Sequence, residues 1–277
     1  MSRRRADSHK GDFGSIFILA GSSRFSGAAA LCAEGALRSG AGLVTLGIPK
    51  GINSALIKIK PKEVMTLPLP ETSEGALSLS GYKKIKDFSK DIDVVVVGPG
   101  LGQEKSTRGL ARKIVYGINK PMVIDADGLN ALVGHLKRAG NSQVKIFTPH
   151  PGEMARLLGI SVKELQKKRK KVAKSFAVHY NVTIVLKGKG TVVAAADGRL
   201  YLNKTGNPGM STAGSGDVLT GIIAAFLGQG LDAFCAAKYA AYLHGLAGDI
   251  AAREKTQISL IASDIIAKIP QAIKKSI

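Results

Sequence analysis

The sequence has no tryptophan, only two cysteines in 277 residues, and 5% aromatic residues. Acid is scarce too: 20 Asp and Glu stand against 40 Lys and Arg, leaving a formal charge of +20. Each shortage excludes something. Cys32 and Cys235 lie in separate Ala-rich helical patterns with no His close in sequence. They make no disulfide scaffold and read as packing residues of a reducing, cytoplasmic compartment. So few aromatics make no stacking platform for bases, which argues against nucleic acid as a partner despite the charge. No apolar run approaches the ~20 residues that cross a bilayer. The first ten residues are basic but lack a following apolar stretch, so no secretory leader and no membrane partner is expected.

Several catalytic signatures are missing as well. There is no Walker A ending in Gly-Lys-Ser/Thr, no H-E-x-x-H, no C-x-x-C and no G-x-S-x-G. The run Gly98-Pro99-Gly100-Leu101-Gly102-Gln103 follows an apolar stretch but has Gln103 where a dinucleotide fingerprint needs its last glycine. Basic residues gather at 3–5, 58–62, 83–86 and 167–174. The densest group, Lys167-Lys168-Arg169-Lys170-Lys171, interrupts Val162, Leu165, Val172, Phe176 and Tyr180 at roughly helical spacing. That pattern predicts a solvated helix face; a nucleic-acid surface and a field that attracts anionic substrates are the alternatives.

What is present is an alternation of short β-branched runs with Ala-rich helical stretches. Strands are predicted at 16–20, 43–46, 94–97, 122–124, 144–147 and 182–186, and helices at 27–38, 103–116, 129–135 and 161–180. Several strands are continuously apolar, as parallel strands covered on both faces are. A small β-ribbon is predicted at 191–196 and 199–202, turning at Asp197-Gly198, and three helical patterns follow from Gly216 onward. The expectation is one α/β domain over 1–277, a doubly wound, mostly parallel sheet covered by helices on both faces. In such a sheet, ligands bind beyond the carboxyl ends of the strands. The segments just past those ends are Gly21-Ser22-Ser23, the glycine run at Gly98, Asp125-Ala126-Asp127-Gly128-Leu129-Asn130, Thr148-Pro149-His150-Pro151-Gly152-Glu153 and Lys187-Gly188-Lys189-Gly190-Thr191.

The most informative run is Asn207-Pro208-Gly209-Met210-Ser211-Thr212-Ala213-Gly214-Ser215-Gly216-Asp217, which opens an apolar helix. Small residues at Gly214, Ser215 and Gly216 let a ligand approach the backbone, and unpartnered helix-start amides form an anion hole. A carboxylate at Asp217 beside such an anion reads as a catalytic base. Other candidates keep two readings each at this level. Asp125 and Asp127 suit a hydrated Mg²⁺ or a helix cap; His150 suits a structural hydrogen bond or a ligand contact; Lys187 reaches phosphate or leaves for solvent.

Taken together, the runs at Gly98, Asp125, Thr148 and Gly206 to Asp217 resemble the ATP/ADP-dependent NAD(P)H-hydrate dehydratase family of the ribokinase-like superfamily, over nearly the whole chain from Ser8 onward. The chain departs from the family's usual Gly-Gly-Thr-Gly-Asp, having Ala213-Gly214-Ser215-Gly216-Asp217. The resemblance implies nucleotide-dependent repair of hydrated NADH and NADPH (NADHX and NADPHX): the C6 hydroxyl is phosphorylated and then expelled as phosphate. It implies Asp217 as general base and Ala28, Gly100 or Gly102, and His150 as contacts of the hydrated dinucleotide. Lys187, Gly188, Lys189, Gly190, Thr191 and Gly216 are implied to bind ADP or ATP, with Mg²⁺. It further implies a homo-oligomer, a tetramer among its forms, and the length leaves no room for the epimerase domain fused in some members. Two other readings remain: a ribokinase-like kinase of a vitamin-precursor alcohol using the same Asp217, and a basic nucleic-acid-binding protein.

Overall fold

The computed structural model describes residues 5–138 and 144–276; Arg3 and Arg4 of the first basic group lie outside the described residues. Nine strands form one sheet: β1 (Ser15–Leu19), β2 (Leu43–Pro49), β3 (Met65–Leu69), β4 (Val94–Val97), β5 (Met122–Ile124), β6 (Lys145–Phe147), β7 (Thr183–Leu186), β8 (Val192–Ala194) and β9 (Leu200–Leu202). Their order is β3-β2-β1-β4-β5-β6-β7-β8-β9. β1 to β7 are parallel, and β8 and β9 add antiparallel.

The continuously apolar runs follow from burial on both faces. Side chains alternate across a strand, so Ile16 and Ile18 enter one core while Phe17 and Leu19 enter the other, and all four are buried. The first core lies under α1 (Ser26–Arg38), α2 (Asn53–Ile59), α9 (Ser215–Gly228), α10 (Ala233–Lys255) and α11 (Ala262–Lys274). The second lies under α3 (Tyr82–Phe88), α4 (Lys105–Gly117), α5 (Ala126–Asn130), α6 (Pro151–Leu158), α7 (Val162–Lys167) and α8 (Arg169–Tyr180). The chain winds outward from β1 to β3 and returns on the other side of β1 as β4. The loops beyond β1 and β4 therefore part in opposite directions and leave a crevice between them.

Several expectations shift in detail. β3 carries Pro68 and has one buried residue, Leu69, which is why it lacks a core-strand pattern; as an outer strand it tolerates the missing amide. The predicted ribbon exists as β8 and β9, but it extends the main sheet instead of standing apart. The single helix predicted over 161–180 is two, broken at Lys168, whose φ of −133° leaves the helical region. The helix predicted over 129–135 is α5, which starts earlier and ends at Asn130, followed by turns. The helices missed, α2, α3 and α6, are no longer than eight residues, too short for periodicity to stand out.

Helix α9 sits in the core, with every residue from Val218 to Leu227 buried. It lies against α1 at backbone distance: a Cβ on Gly221 would overlap the Cys32 carbonyl oxygen, and one on Gly35 would come 2.8 Å from that of Val218. Cys32 is fully buried at this crossing, the packing role expected of it. Among the described residues no helix is long and apolar enough to cross a membrane. Gly221→Ala is expected to cost about 2 kcal/mol or more, because backbone on both helices must move apart. Gly109→Ala, in an open stretch of α4 where the nearest atom would be 3.8 Å away, should gain ~0.5–1 kcal/mol. Urea denaturation of both variants checks the contrast.

Candidate active site

Asp217 is the third residue of α9. Gly214 precedes the helix with φ +84°, and a Cβ there would strike Leu31, so only glycine makes the turn. The Ser215 amide donates to the Thr212 carbonyl at 3.4 Å and Val218 donates to Gly214 at 3.1 Å. The amides of Gly216 and Asp217 have no such acceptor among the described residues, and they are the open positions of the predicted anion hole. Ser215 contributes its hydroxyl instead, 3.4 Å from Nε2 of His244 on α10. Burial pulls His244 down to about 4, so its ring is neutral at pH 7.

Behind Asp217 lies one ammonium shared among carboxylates. Lys187, at the end of β7, donates to Asp125 Oδ1 at 2.8 Å and lies 4.0 Å from Glu153 Oε2. Asp125 Oδ2 accepts from Thr220 Oγ1 of α9 at 2.8 Å, which fastens the network to the helix carrying Asp217. Burial works against the Lys187 charge, but Asp125 and Glu153 overcome it and hold the amine protonated. Asp217 sits partly buried near this group, and no donor bonds its carboxylate among the described residues. Burial first, then the negative charges of Asp125, Glu153 and Asp127, push it up to about 7 against the pull of Lys187. A carboxylate half protonated near neutrality is suited to taking a proton and giving it back.

His150 caps α6: its Nδ1 accepts from the amides of Gly152 at 3.0 Å and Glu153 at 3.4 Å, while Glu153 Oε2 accepts from the His150 amide at 2.7 Å. An accepting Nδ1 places the proton on Nε2. Burial, and then the charges of Lys187 and Arg156, lower the ring's affinity for a second proton. His150 therefore has the structural hydrogen bond, and its half-exposed ring also lines the cavity described below.

Asp125 and Asp127 do not fit a resident metal. The first is committed to Lys187 and Thr220. The second accepts from the Gly102 amide at 2.9 Å and from Asn130 Nδ2 at 3.2 Å. Asn130 in turn accepts from Arg156. Nor does either side chain cap α5 in the simple sense expected, since Asp125 at the cap position makes no capping bond. Among the described residues no group of three His, Cys, Asp or Glu could hold a metal ion.

A cavity of about 1740 Å³ opens over these groups. It is lined by His150, by all of Lys187, Gly188, Lys189, Gly190 and Thr191, and by the turn from Gly214 to Asp217. A single small-molecule site is commonly ~300–1,000 Å³, so this one has room for two ligands. Ala28, Gly100 and Gly102 do not line it. They meet at the β1/β4 crevice, where a Cβ on Gly100 would come 3.0 Å from that of Ala28, and Ser22 Oγ donates to the Gly100 carbonyl at 2.9 Å. Asp127, through Gly102, ties that crevice to the cavity side. The basic group at 167–171 is not a plain solvated face: its lysines are exposed but stand on the cavity rim, and Arg169 turns inward.

Sequence reasoning missed four contributors. Glu153 stood inside a quoted motif, and its three-residue offset from His150 is the spacing of a capping box. Thr220 was a polar residue in an apolar helix, Arg169 was submerged in a lysine run, and His244 sat in an Ala-rich pattern without a partner in sequence.

Comparison with known proteins gives a consistent outcome. A family profile described as NAD(P)H-hydrate dehydratase matches residues 16–271. The bifunctional NAD(P)H-hydrate repair enzyme of Moorella thermoacetica is 43% identical over 99% of this chain and 52% of its own length. The chain thus spans about half the length of that relative. The ADP-dependent (S)-NAD(P)H-hydrate dehydratase of Bacillus subtilis is 35% identical over 99% of this chain and 94% of its own. A crystal structure of the ADP/ATP-dependent NAD(P)H-hydrate dehydratase from Bacillus subtilis, co-crystallised with ATP/Mg²⁺, superposes with a TM-score of 0.86 at 33% identity, covering 99% of this chain and 94% of that one. A ribokinase-like superfamily protein of Enterococcus faecalis superposes with a TM-score of 0.84 at 27% identity, covering 99% and 91%.

The raised affinity of Asp217 for its proton has a cost in stability. The folded state holds that proton up to about pH 7, whereas the unfolded chain releases it near ~3.9. Stability from this group is present below the unfolded value and is lost as pH rises through the interval. Asp217→Asn should therefore be increasingly more stable than the unsubstituted chain from pH 4 to 7. The gain should then level off, at most ~4 kcal/mol. Urea midpoints measured across that range check it; a constant difference would contradict it.

Proposed function

We propose, from the premise that the chain belongs to the NAD(P)H-hydrate dehydratase family, that it repairs hydrated NADH and NADPH at the expense of ADP or ATP. The observation that carries this is Asp217: a carboxylate poised near neutrality, without a donor among the described residues, beside two open helix-start amides and across the cavity from the segment 187–191. The nucleotide lies along Lys187, Gly188, Lys189, Gly190 and Thr191, with Gly216 beside it; the hydrated ring lies between Asp217 and His150. Ala28, Gly100 and Gly102 hold the rest of the dinucleotide in the crevice. The excess of positive charge on the rim draws both anionic ligands in.

In this reading Asp217 takes the proton of the C6 hydroxyl as its oxygen attacks the terminal phosphorus, and the nucleotide departs one phosphoryl group shorter. Amides of Gly216 and Asp217 stabilise charge on the group in transfer. The nitrogen lone pair of the ring then expels C6-bound phosphate, and loss of the C5 proton completes the double bond. Hydroxide, a poor leaving group, is thereby replaced by phosphate. The described residues form no cage for Mg²⁺; an ion carried in with the nucleotide would neutralise phosphate charge.

The catalytic unit occupies 1–277 as one domain, acts in the cytoplasm, where Cys32 and Cys235 remain reduced, and assembles as a homo-oligomer, a tetramer being one such form. Nothing in the site favours the small-molecule kinase, whose product would be a stable phosphorylated alcohol.

Purified protein given NADH hydrate should restore the near-ultraviolet absorbance of the reduced dinucleotide with ADP, ATP or both. Its kcat/KM should rise with pH to a plateau above about 7 as Asp217 of the free protein ionises. Asp217→Asn should lose ~10²–10⁴-fold in kcat. No restored absorbance with either nucleotide would refute the reading.

A further inference from the structure

The lysine run around Arg169 was read as a solvated face, yet Arg169 is the one member that leaves it. The helix break at Lys168 makes Arg169 the first residue of α8 and turns its side chain toward the end of β7. There one guanidinium donates to three backbone carbonyls: Lys189 at 2.5 Å, Lys187 at 3.0 Å and Leu186 at 3.1 Å. The remaining carbonyl of the stretch, that of Gly188, accepts from Thr191 Oγ1 at 3.0 Å. Four consecutive carbonyls are thus bound, three of them by Arg169. In a trans peptide the N–H points opposite the C=O of the preceding residue, so the amides of Gly188 and Gly190, which follow the Lys187 and Lys189 carbonyls, face away from Arg169. Neither donates to a backbone acceptor among the described residues. Gly188 and Gly190 hold φ of +126° and +64°, conformations that favour glycine. A Cβ on Gly188 would also crowd Arg169 at 3.3 Å. Two amides aimed one way from glycines in the left-handed region form a receptor for a phosphate or another electron-rich group.

We propose that Arg169 is a positioning residue: it binds no ligand itself but holds the segment 187–191 in the one shape whose amides receive the nucleotide. This rests on the reading that the segment is the nucleotide site. The guanidinium fork is required because three carbonyls must be reached at once. An ammonium is a compact point charge that can neutralise but cannot span them. The charge of Arg169 is spent on those carbonyls, so its effect reaches the nucleotide through the main chain.

The test uses the full chain and measures ADP and ATP binding by titration calorimetry, without the repair reaction, alongside steady-state KM values. Arg169→Lys, the variant most apt to fold, should weaken nucleotide binding about ten-fold, the worth of one or two charge-assisted hydrogen bonds. The nucleotide KM should rise in step, while the KM for hydrated dinucleotide stays within about two-fold. Amide hydrogen exchange at 187–191 should quicken in the ligand-free variant, with α9 unaffected. Arg169→Ala should bind no worse than about three-fold below Arg169→Lys, since geometry and not charge is what both lose. Unchanged nucleotide affinity in folded Arg169→Lys overturns the proposal and leaves the functional reading standing. Should the Ala variant not fold, the Lys variant's affinity and exchange alone decide. An unsubstituted chain that binds neither nucleotide overturns the functional reading, and this proposal with it.

Discussion

One largely but not fully buried ammonium organises the site. Lys187 stands among three carboxylates, Asp125, Glu153 and Asp217, and cannot balance them all. It is closest to Asp125, and that pair is locked to α9 by Thr220. Burial and the remaining uncompensated negative charge both act on Asp217, a carboxylate with no donor of its own among the described residues. The same imbalance that makes Asp217 unstable as an anion makes it useful as a base. Gly216 is small for a related reason: a Cβ there would come 3.2 Å from the Lys187 ammonium.

The fold delivers these groups from distant parts of the chain. Parallel strands bring the carboxyl ends of β5, β6 and β7 side by side, which sets Asp125, His150 and Lys187 in a row. Across from them, α9 is pressed into the core against α1 by glycine at the crossing, so its first turn is a rigid platform. Two parallel connections then join the halves. Asp125 couples the Lys187 side to α9, and Asp127 with Asn130 and Arg156 couples α6 to the Gly102 loop. Residues that look like a metal motif in sequence act as struts.

Much of this was legible in the sequence because strand periodicity and the glycine-rich turns are local signals. The core strands β1, β4, β5 and β7 and the start of α9 could be read within a residue or so. What escaped was what depends on distance. The pairing of Asp125 with Lys187 spans 62 residues, and its bond to Thr220 spans 95. No spacing rule reports either, so Asp125 stayed divided between metal and cap. Arg169 was hidden by its neighbours: five basic residues in a row look alike until a helix break turns one inward. His150 shows the reverse case, in which two readings treated as alternatives turn out compatible, since Nδ1 caps α6 while the rest of the ring remains at the cavity.

The central claim is that burial, together with negative charge that the shared ammonium does not balance, makes Asp217 basic near neutral pH. A carbon-13 NMR titration of the Asp217 carboxyl, assigned by its loss in Asp217→Asn, measures this directly. The account predicts a midpoint of about 7. A midpoint in the ordinary carboxylate range, near ~4, would contradict it.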